Sequence, residues 1–159
     1  GEVTAEQTIA LIEQVQKYQI GIVTLSDTIG VATPLQVQEV ITKVQSKFPA
    51  LKLGAHFHDT HGRALLNVWT ALSFGVTRIE TAGGGLGGCP FAPGAAGNLA
   101  TEDLLSLLMR SGIETGIETG IDFTKYLTVV AWIRENIEPN LLSHLSKSRS
   151  YEELSFHSL

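Results

Sequence analysis

Hydrophobic residues along this chain follow two spacings, one typical of helices and one typical of strands. They recur every three or four positions after Thr4, after Thr33 and within residues 62–74, which predicts three amphipathic helices. Thr4 and Gln7 have the spacing of a capping box, and Thr33 precedes a proline at the first helical position. The pattern therefore predicts where these helices lie and where two of them begin.

Three short apolar runs lie between the helices and predict β-strands. They cover residues 20–25, 51–59 and 76–81. Two further helices are predicted, one that is capped at Thr101 and stops at Gly112, and one over residues 123–137 with Asp122 as its cap. Strands that alternate with helices form parallel sheets through right-handed crossovers, so the predicted fold class is α/β.

The C-terminal segment has neither spacing, because residues 139–159 are polar and rich in serine and lysine. We expect a mobile tail or a short helix there. The chain is therefore divided into a domain over residues 1–138 and a polar tail over residues 139–159. An Ile-Glu-Thr-Gly sequence occurs twice in succession, at 113–116 and 117–120, and we interpret it as a loop insertion.

Composition narrows the classes of protein that the chain can represent. With 159 residues, 43% of them hydrophobic, it can bury the core of one domain. A formal net charge of -5, without a cluster of Lys and Arg, argues against a nucleic-acid partner. No run approaches the roughly 18 apolar residues of a membrane span, so no membrane association is expected, and the polar N-terminus does not resemble a signal peptide. The single cysteine, Cys89, excludes an internal disulfide and suits a reducing compartment.

Chemically versatile side chains follow each predicted strand. Asp27 follows the first strand, His56 and His58 end the second, and a glycine-rich loop with Cys89 and Asn98 follows the third. Ligands bind at the carboxyl ends of the strands in parallel α/β folds. We therefore expect these side chains to gather at one edge of the sheet.

The glycine-rich loop, residues 83–98, can bring its backbone close to a ligand. Glycine and proline also mark ordinary connections, so a flexible linker without a binding role is the alternative. The thiol of Cys89 and the amide of Asn98 favour a binding loop, and the thiol is a candidate acid, base or nucleophile.

His56 and His58 lie two residues apart on a predicted strand, so both imidazoles point to the same face. Such a pair can chelate one divalent ion. The alternative is a pair of core histidines that are bonded to backbone carbonyls. The sequence leaves both interpretations open.

Three carboxylates near these positions also have two interpretations each. Asp27 is either a turn or cap residue or a carboxylate of the site. Asp59 either caps the following helix or accepts a hydrogen bond from an imidazole. Glu80 either lines the interior of a barrel or belongs to a structural ion pair.

Four stretches of the sequence are similar to those of one enzyme family. They are His56-Phe-His-Asp-Thr60, Gly85-Leu-Gly-Gly-Cys-Pro-Phe91, Gly94-Ala-Ala-Gly-Asn-Leu-Ala-Thr-Glu-Asp103 and Leu25-Ser-Asp-Thr-Ile-Gly-Val-Ala-Thr-Pro34. Together they resemble the 3-hydroxy-3-methylglutaryl-CoA lyase family, from about residue 1 to about residue 124. The resemblance implies a partial TIM (β/α)8 barrel, with about three parallel strands and flanking helices that form the C-terminal part of the barrel.

The same resemblance implies a reaction and a site. The reaction is a metal-assisted retro-Claisen cleavage of an acyl-CoA substrate, hydroxymethylglutaryl-CoA, to acetyl-CoA and acetoacetate, with Mg²⁺ or Mn²⁺ as the metal. Matching positions give metal ligands at His56, His58 and Asn98, catalytic residues at Cys89, Asp27 and His56, and a substrate-binding loop that includes Gly85, Gly87 and Gly88.

The chain departs from the family pattern in two ways. It lacks the Arg-Asp pair that the family carries on its first strand as a catalytic arginine and a metal ligand. A TIM barrel has eight strands and typically about 250 residues, whereas three strands are predicted here. Because part of a barrel exposes strand edges, we expect a homo-oligomer or pairing with the missing barrel segment.

Two other functions remain alternatives. One is a catalytically inert half-barrel that serves assembly. The other is a related synthase that condenses an acyl-CoA with a 2-oxo acid, which shares the His-x-His pair and the metal but lacks the Cys-Pro-Phe sequence of the loop. We expect the protein in a reducing compartment, which is the cytoplasm of a bacterium or the mitochondrial matrix of a eukaryote.

Overall fold

The computed structural model describes residues 3–88, 97–113 and 122–147. The elements in chain order are α1 Ala5–Gln16, β1 Ile22–Asp27, α2 Pro34–Lys47, β2 Lys52–Phe57, α3 Ala64–Ser73, β3 Arg78–Glu80, a 3-10 turn Gly83–Gly85, α4 Thr101–Arg110, α5 Phe123–Asn136 and α6 His144–Lys147. We call the 3-10 segment the glycine turn. Cys89 and most of the duplicated Ile-Glu-Thr-Gly sequence lie outside the described residues.

Contacts divide the chain into two units. The sheet unit comprises the described residues up to Glu80, and the loop unit comprises described residues from Thr81 onward. No helix in the described part of the chain is long and apolar enough to cross a membrane.

The sheet unit contains a parallel three-stranded sheet in the order β1-β2-β3. This arrangement confirms the predicted α/β class with three parallel strands and flanking helices. Side chains alternate between the two faces of a strand. Leu53, Ala55 and Phe57 are buried on one face of β2, and α3 contacts this strand.

The opposite face of the same sheet is polar. Ser26, His56 and Glu80 are aligned in the register of the three strands, and one step earlier Thr24, Gly54 and Arg78 are aligned. The Thr24 hydroxyl donates a 2.8 Å hydrogen bond to Glu80 across the middle strand. On each strand, the residues that alternate with the apolar core residues therefore form a polar surface on the opposite face of the sheet.

The predicted caps are present at the starts of α1 and α2, whereas the cap predicted at Thr101 is wrong, because Thr101 is the first residue of α4 and the cap position is Ala100, which has no capping side chain. Thr4 Oγ1 accepts a hydrogen bond from Gln7 N at 3.2 Å, and Gln7 Oε1 accepts one from Thr4 N at 2.9 Å. The predicted capping box is confirmed, and Thr33 and Gln36 form a second one at the start of α2. Each cap of this kind typically contributes about 1 kcal/mol to stability.

Two strands are shorter than the sequence predicts. β2 ends at Phe57 because the next residues turn to other partners: His58 Nδ1 bonds the Thr28 carbonyl, and Asp59 Oδ1 accepts from Ala64 N at 2.8 Å. β3 begins only at Arg78, since the amide of Val76 still donates to Ala71 O of α3 at 3.0 Å. The predicted second strand therefore included the polar residues His58 and Asp59, and the predicted third strand included Val76 and Thr77, all of which lie outside β2 and β3.

The loop unit packs α4, α5 and α6 around a small core. Leu105, Phe123 and Leu127 form its buried centre, with Tyr126 and Leu145 packed against them. Asp122 caps α5 by accepting a 3.0 Å hydrogen bond from Lys125 N, as predicted.

The segment after Pro139 is held in place as far as the structure describes it. Leu141 is 3% exposed and Ser143 is 1% exposed. The carboxylate of Asp103 accepts hydrogen bonds from Ser143 Oγ and from the amides of His144 and Leu145, at 2.8–3.1 Å. Residues 144–147 form the short helix that was one of the two expectations for this region, while residues 148–159 lie outside the described part. The proposed division at residue 138 stays a prediction.

Candidate active site

The two histidines of the sheet unit lie side by side on its polar face. Their ring centroids are 5.1 Å apart, and the ring planes meet at 70°. His58 is 8% exposed, and its Nδ1 lies 2.5 Å from the carbonyl oxygen of Thr28. A carbonyl can only accept, so Nδ1 carries the proton and Nε2 keeps its lone pair in the neutral ring. This is how proteins usually orient a metal-binding histidine.

His56 lacks such a partner. Its Nδ1 is buried and forms no hydrogen bond with any residue that the structure describes. Leaving a buried polar atom unpaired costs about 1–3 kcal/mol. His58 therefore fits the interpretation of a core histidine bonded to a backbone carbonyl, through its Nδ1 atom. His56 does not fit it, because its Nδ1 atom has no such partner in the described chain, and this suits a ligand.

Asp27 organises the loop that follows β1. Its Oδ1 accepts from Gly30 N at 3.0 Å and from Val31 N at 3.2 Å, and its Oδ2 accepts from Ala32 N at 2.9 Å. The turn interpretation is thus realised in the structure. The next residue in the same loop, Thr28, supplies the carbonyl that orients His58. A catalytic role of Asp27 stays a prediction.

The other two carboxylates of this unit also have partners. Asp59 accepts a hydrogen bond from the amide of Ala64, the first residue of α3, although the N-cap position itself is Arg63. Glu80 accepts from Thr24 and lies 3.7 Å from the Nε atom of Arg78, so it belongs to a structural pair on the polar face.

In the loop unit, the two ends of the glycine-rich loop are packed together. Asn98 Nδ2 donates to the Leu86 carbonyl at 2.8 Å. Gly85 has a φ of 71°, and a Cβ atom there would lie 2.9 Å from the main-chain oxygen of Asn98. Gly87 has a φ of 97°, and a Cβ atom there would lie 2.7 Å from Asn98 Nδ2. Gly88 is exposed and has open space around it. The base of the loop is therefore close-packed, which argues against a flexible linker there.

The amide of Asn98 has one bonded and one unbonded polar atom within the described chain. Because its NH₂ group is bonded to Leu86, its Oδ1 is left as an acceptor, buried and without a partner among residues 3–88, 97–113 and 122–147. The side chain of Cys89 lies outside the described residues, so its catalytic role stays a prediction.

Glu102 is a residue whose importance the sequence did not reveal. It is 0% exposed, and its Oε2 accepts from Gly84 N of the glycine turn at 3.1 Å. Its Oε1 has no partner within the described ranges. From the sequence, Glu102 was only a carboxylate in the first turn of a helix, where it favours the helix dipole. The preceding glycine-rich loop was the signal that such a residue would face backbone amides.

Each unit, taken by itself, offers side chains of the kind that bind divalent metals. Imidazole nitrogens and an amide oxygen are ordinary metal donors. Two of them, His56 Nδ1 and Asn98 Oδ1, are buried without protein partners in the described chain. The described residues contain no cluster of three or more His, Cys, Asp or Glu that could hold a metal ion. A complete ligand set would need further donors.

The parallel three-stranded sheet with flanking helices makes the chain an α/β protein that corresponds to part of a TIM barrel. The profile of the HMGL-like family matches residues 1–133. The chain belongs to the HMGL-like family, which confirms the resemblance found in the sequence.

Relatives and a solved structure support this assignment. The chain is 43% identical over 136 residues to hydroxymethylglutaryl-CoA lyase YngG of Bacillus subtilis, covering 86% of this chain and 44% of YngG. It is 48% identical over 93 residues to the mitochondrial hydroxymethylglutaryl-CoA lyase of Mus musculus, covering 58% of this chain and 29% of that protein. An HMG-CoA lyase from Acinetobacter baumannii, solved with coenzyme A and 3-methylmalate, superimposes with a TM-score of 0.85 at 36% identity, over 100% of this chain and 50% of that one. The chain thus spans about half the length of these relatives, or less.

Proposed function

We propose that this chain contributes one part of the active site of a hydroxymethylglutaryl-CoA lyase. The observation that carries the proposal is the histidine pair, in which His58 has a fixed tautomer and His56 has a buried nitrogen without a partner in the described chain. The relatives named as lyases of this substrate support the choice of reaction.

His56, His58 and Asn98 would hold a divalent ion, Mg²⁺ or Mn²⁺. When bound, such an ion supplies positive charge that stabilises oxygen anions and orients oxygen ligands. The chain's own residues prepare the donors: the Thr28 carbonyl holds His58 in one tautomer, and the Leu86 carbonyl holds the Asn98 amide with its oxygen available.

The reaction requires two proton transfers. A base removes the proton of the substrate's tertiary hydroxyl, the bond between the hydroxyl-bearing carbon and the carbon next to the thioester breaks, and its electron pair forms the thioester enolate. The Cys89 thiol then protonates that enolate carbon, which yields acetyl-CoA and leaves acetoacetate.

His56 and Asp27 are the two bases of this proposal. Asp27→Asn separates them, because it removes the carboxylate while retaining one acceptor oxygen for the loop amides. A fall in kcat of at least about 100-fold, measured under conditions where the variant is fully folded, would assign the proton to Asp27. A change of less than about threefold would assign it to His56.

The acyl-CoA substrate is proposed by analogy with the Acinetobacter baumannii relative, whose structure contains coenzyme A.

Activity requires more than this chain, since the Arg-Asp pair is absent and β1 and β3 each have an unpaired edge among the described strands. We propose that a further barrel segment, or a second copy of the chain, completes the site. We propose a cytoplasmic protein if the source is a bacterium, and a protein of the mitochondrial matrix or the cytoplasm if it is a eukaryote, because eukaryotic lyases named for each compartment match the chain.

The test compares the 159-residue chain with the protein made from its complete natural reading frame. Both are incubated with hydroxymethylglutaryl-CoA and Mn²⁺, and acetyl-CoA and acetoacetate are quantified. The proposal predicts equal amounts of both products from a protein that contains the missing strands, and little turnover from the 159-residue chain. Absence of either product from the complete protein would refute the lyase assignment. Condensation of acetyl-CoA with a 2-oxo acid would favour the synthase instead.

A further inference from the structure

Three hydroxyl side chains meet beside the glycine turn, and the proposed reaction uses none of them. The Oγ1 atoms of Thr81 and Thr101 are 2.7 Å apart, and the hydroxyl of Tyr126 is hydrogen-bonded to the Thr101 side chain. They come from three places in the loop unit: the residue after β3, the first residue of α4 and the first turn of α5. We call Thr81, Thr101 and Tyr126 the hydroxyl chain.

The Tyr126 hydroxyl also lies close to Gly83 of the glycine turn. A methyl group built on Gly83 would lie 3.0 Å from the Tyr126 hydroxyl oxygen and 3.6 Å from Ile133 Cδ1. Burial raises the pKa of Tyr126, and the nearby charge of Glu102 adds to the effect, while the bond to Thr101 opposes it. The phenol therefore keeps its proton at neutral pH and can act as a donor.

Hydrogen bonds lead from the turn to the amide of Asn98. Leu86 N donates to the carbonyl of Gly83 at 3.1 Å, and the carbonyl of Leu86 accepts from Asn98 Nδ2 at 2.8 Å. The orientation of the Asn98 side chain thus depends on Leu86, and the position of Leu86 depends on Gly83. Each link lies within the loop unit.

We propose that Tyr126 is a positioning residue: through the hydroxyl chain and its proximity to Gly83, it fixes the glycine turn and so orients Asn98 Oδ1. The value of that orientation for metal binding rests on the proposed function. The coupling between Tyr126, the turn and Asn98 does not, because it follows from the contacts alone. Phenylalanine would fill the same space but could not bond to Thr101.

The test is hydrogen–deuterium exchange mass spectrometry on the whole protein that carries this chain. Tyr126→Phe should accelerate exchange about fivefold in peptides that cover the amides of Gly85 and Leu86, which is the effect of losing one net hydrogen bond. Thr101→Val should act in the same way, whereas Thr101→Ser keeps a hydroxyl and should preserve the wild-type protection. Tyr18→Phe is the matched control, since Tyr18 is 70% exposed and lies in the sheet unit.

Unchanged protection of the turn in Tyr126→Phe would overturn the inference. Uniform acceleration throughout α4 and α5 would also overturn it, because that result indicates a general packing role. A second measurement, Mn²⁺ binding by electron paramagnetic resonance, should show an affinity about fivefold weaker in Tyr126→Phe. If the wild-type protein bound no Mn²⁺, the proposed function would fail, and the exchange data would still decide the role of Tyr126.

Discussion

Replacing Asp27 by alanine should destabilise the protein by disrupting the loop after β1. The substitution removes the acceptor of three backbone amides at once. Gly30 is buried and Ala32 is partly buried, whereas Val31 is exposed and its amide can bond to water. Counting about 1–1.5 kcal/mol for each of the amides of Gly30 and Ala32, we expect the free energy of unfolding to fall by about 2–3 kcal/mol.

Two matched variants calibrate this number. Asp27→Asn retains one carbonyl oxygen as an acceptor and should cost about 1 kcal/mol. Asp59→Ala removes the acceptor of a single amide, that of Ala64, and should also cost about 1 kcal/mol. Urea denaturation of the complete protein measures all three, and the slope m should not change.

The comparison has a clear negative outcome. If Asp27→Ala were no less stable than Asp59→Ala, the three hydrogen bonds would not hold the loop, and the orientation of His58 through Thr28 would lose its physical basis. If m changed markedly, the variants would differ in compactness and the free energies could not be compared.

Three further predictions concern the loop unit. Gly87→Ala should cost about 1–3 kcal/mol of stability, because its φ is 97° and the added methyl group would lie 2.7 Å from Asn98 Nδ2. Gly88→Ala is the control and should change stability by less than about 0.5 kcal/mol in the same urea assay. Equal costs for the two variants would contradict the close packing of the loop base. Cys89→Ala should reduce release of acetyl-CoA at least about 100-fold without a change in melting temperature, and retained turnover would exclude the thiol as the proton donor. Because the pKa of Tyr126 is raised in the folded protein, the tyrosine ionises first in the unfolded chain. Its contribution to stability is therefore fully present below the unfolded tyrosine pKa of about 10 and declines as pH rises above it. In thermal melts between about pH 9 and 11, the melting temperature of Tyr126→Phe should fall less steeply with pH than that of the wild type, and identical slopes would refute this.

Local signals in the sequence predicted much of the fold. The capping box at Thr4 and the cap at Asp122 depend on residues three positions apart, so their sequence contains the whole interaction. Parallel strand order likewise follows from alternation of strands and helices. The pairing of His56 with His58 needed only the two-residue period of a strand.

Interactions between distant residues could not be predicted in this way. Asp103 binds the amides of His144 and Leu145, about 40 positions later, so a segment of polar composition is held in the structure. Glu102 is fully buried and bonds the amide of Gly84, which lies 18 positions earlier in the chain. Composition cannot distinguish a polar residue that faces solvent from one that satisfies a buried backbone.

The choice between a histidine pair for metal and a pair for the core needed coordinates for the same reason. The Thr28 carbonyl, which fixes the tautomer of His58, lies 30 positions earlier in the chain. The lack of a partner for His56 Nδ1 among the described residues depends on every neighbour of that atom. The sequence offered both readings of the pair, and the contacts favour a ligand site.

The most direct test of the metal site is titration of the complete protein with Mn²⁺, followed by electron paramagnetic resonance. We predict that His58→Ala weakens binding at least about tenfold, since it removes a ligand. His61→Ala should bind Mn²⁺ as tightly as the wild type, because His61 is exposed and its side chain is hydrogen-bonded to Arg63. Equal Mn²⁺ affinity in wild type and His58→Ala would contradict the proposed site.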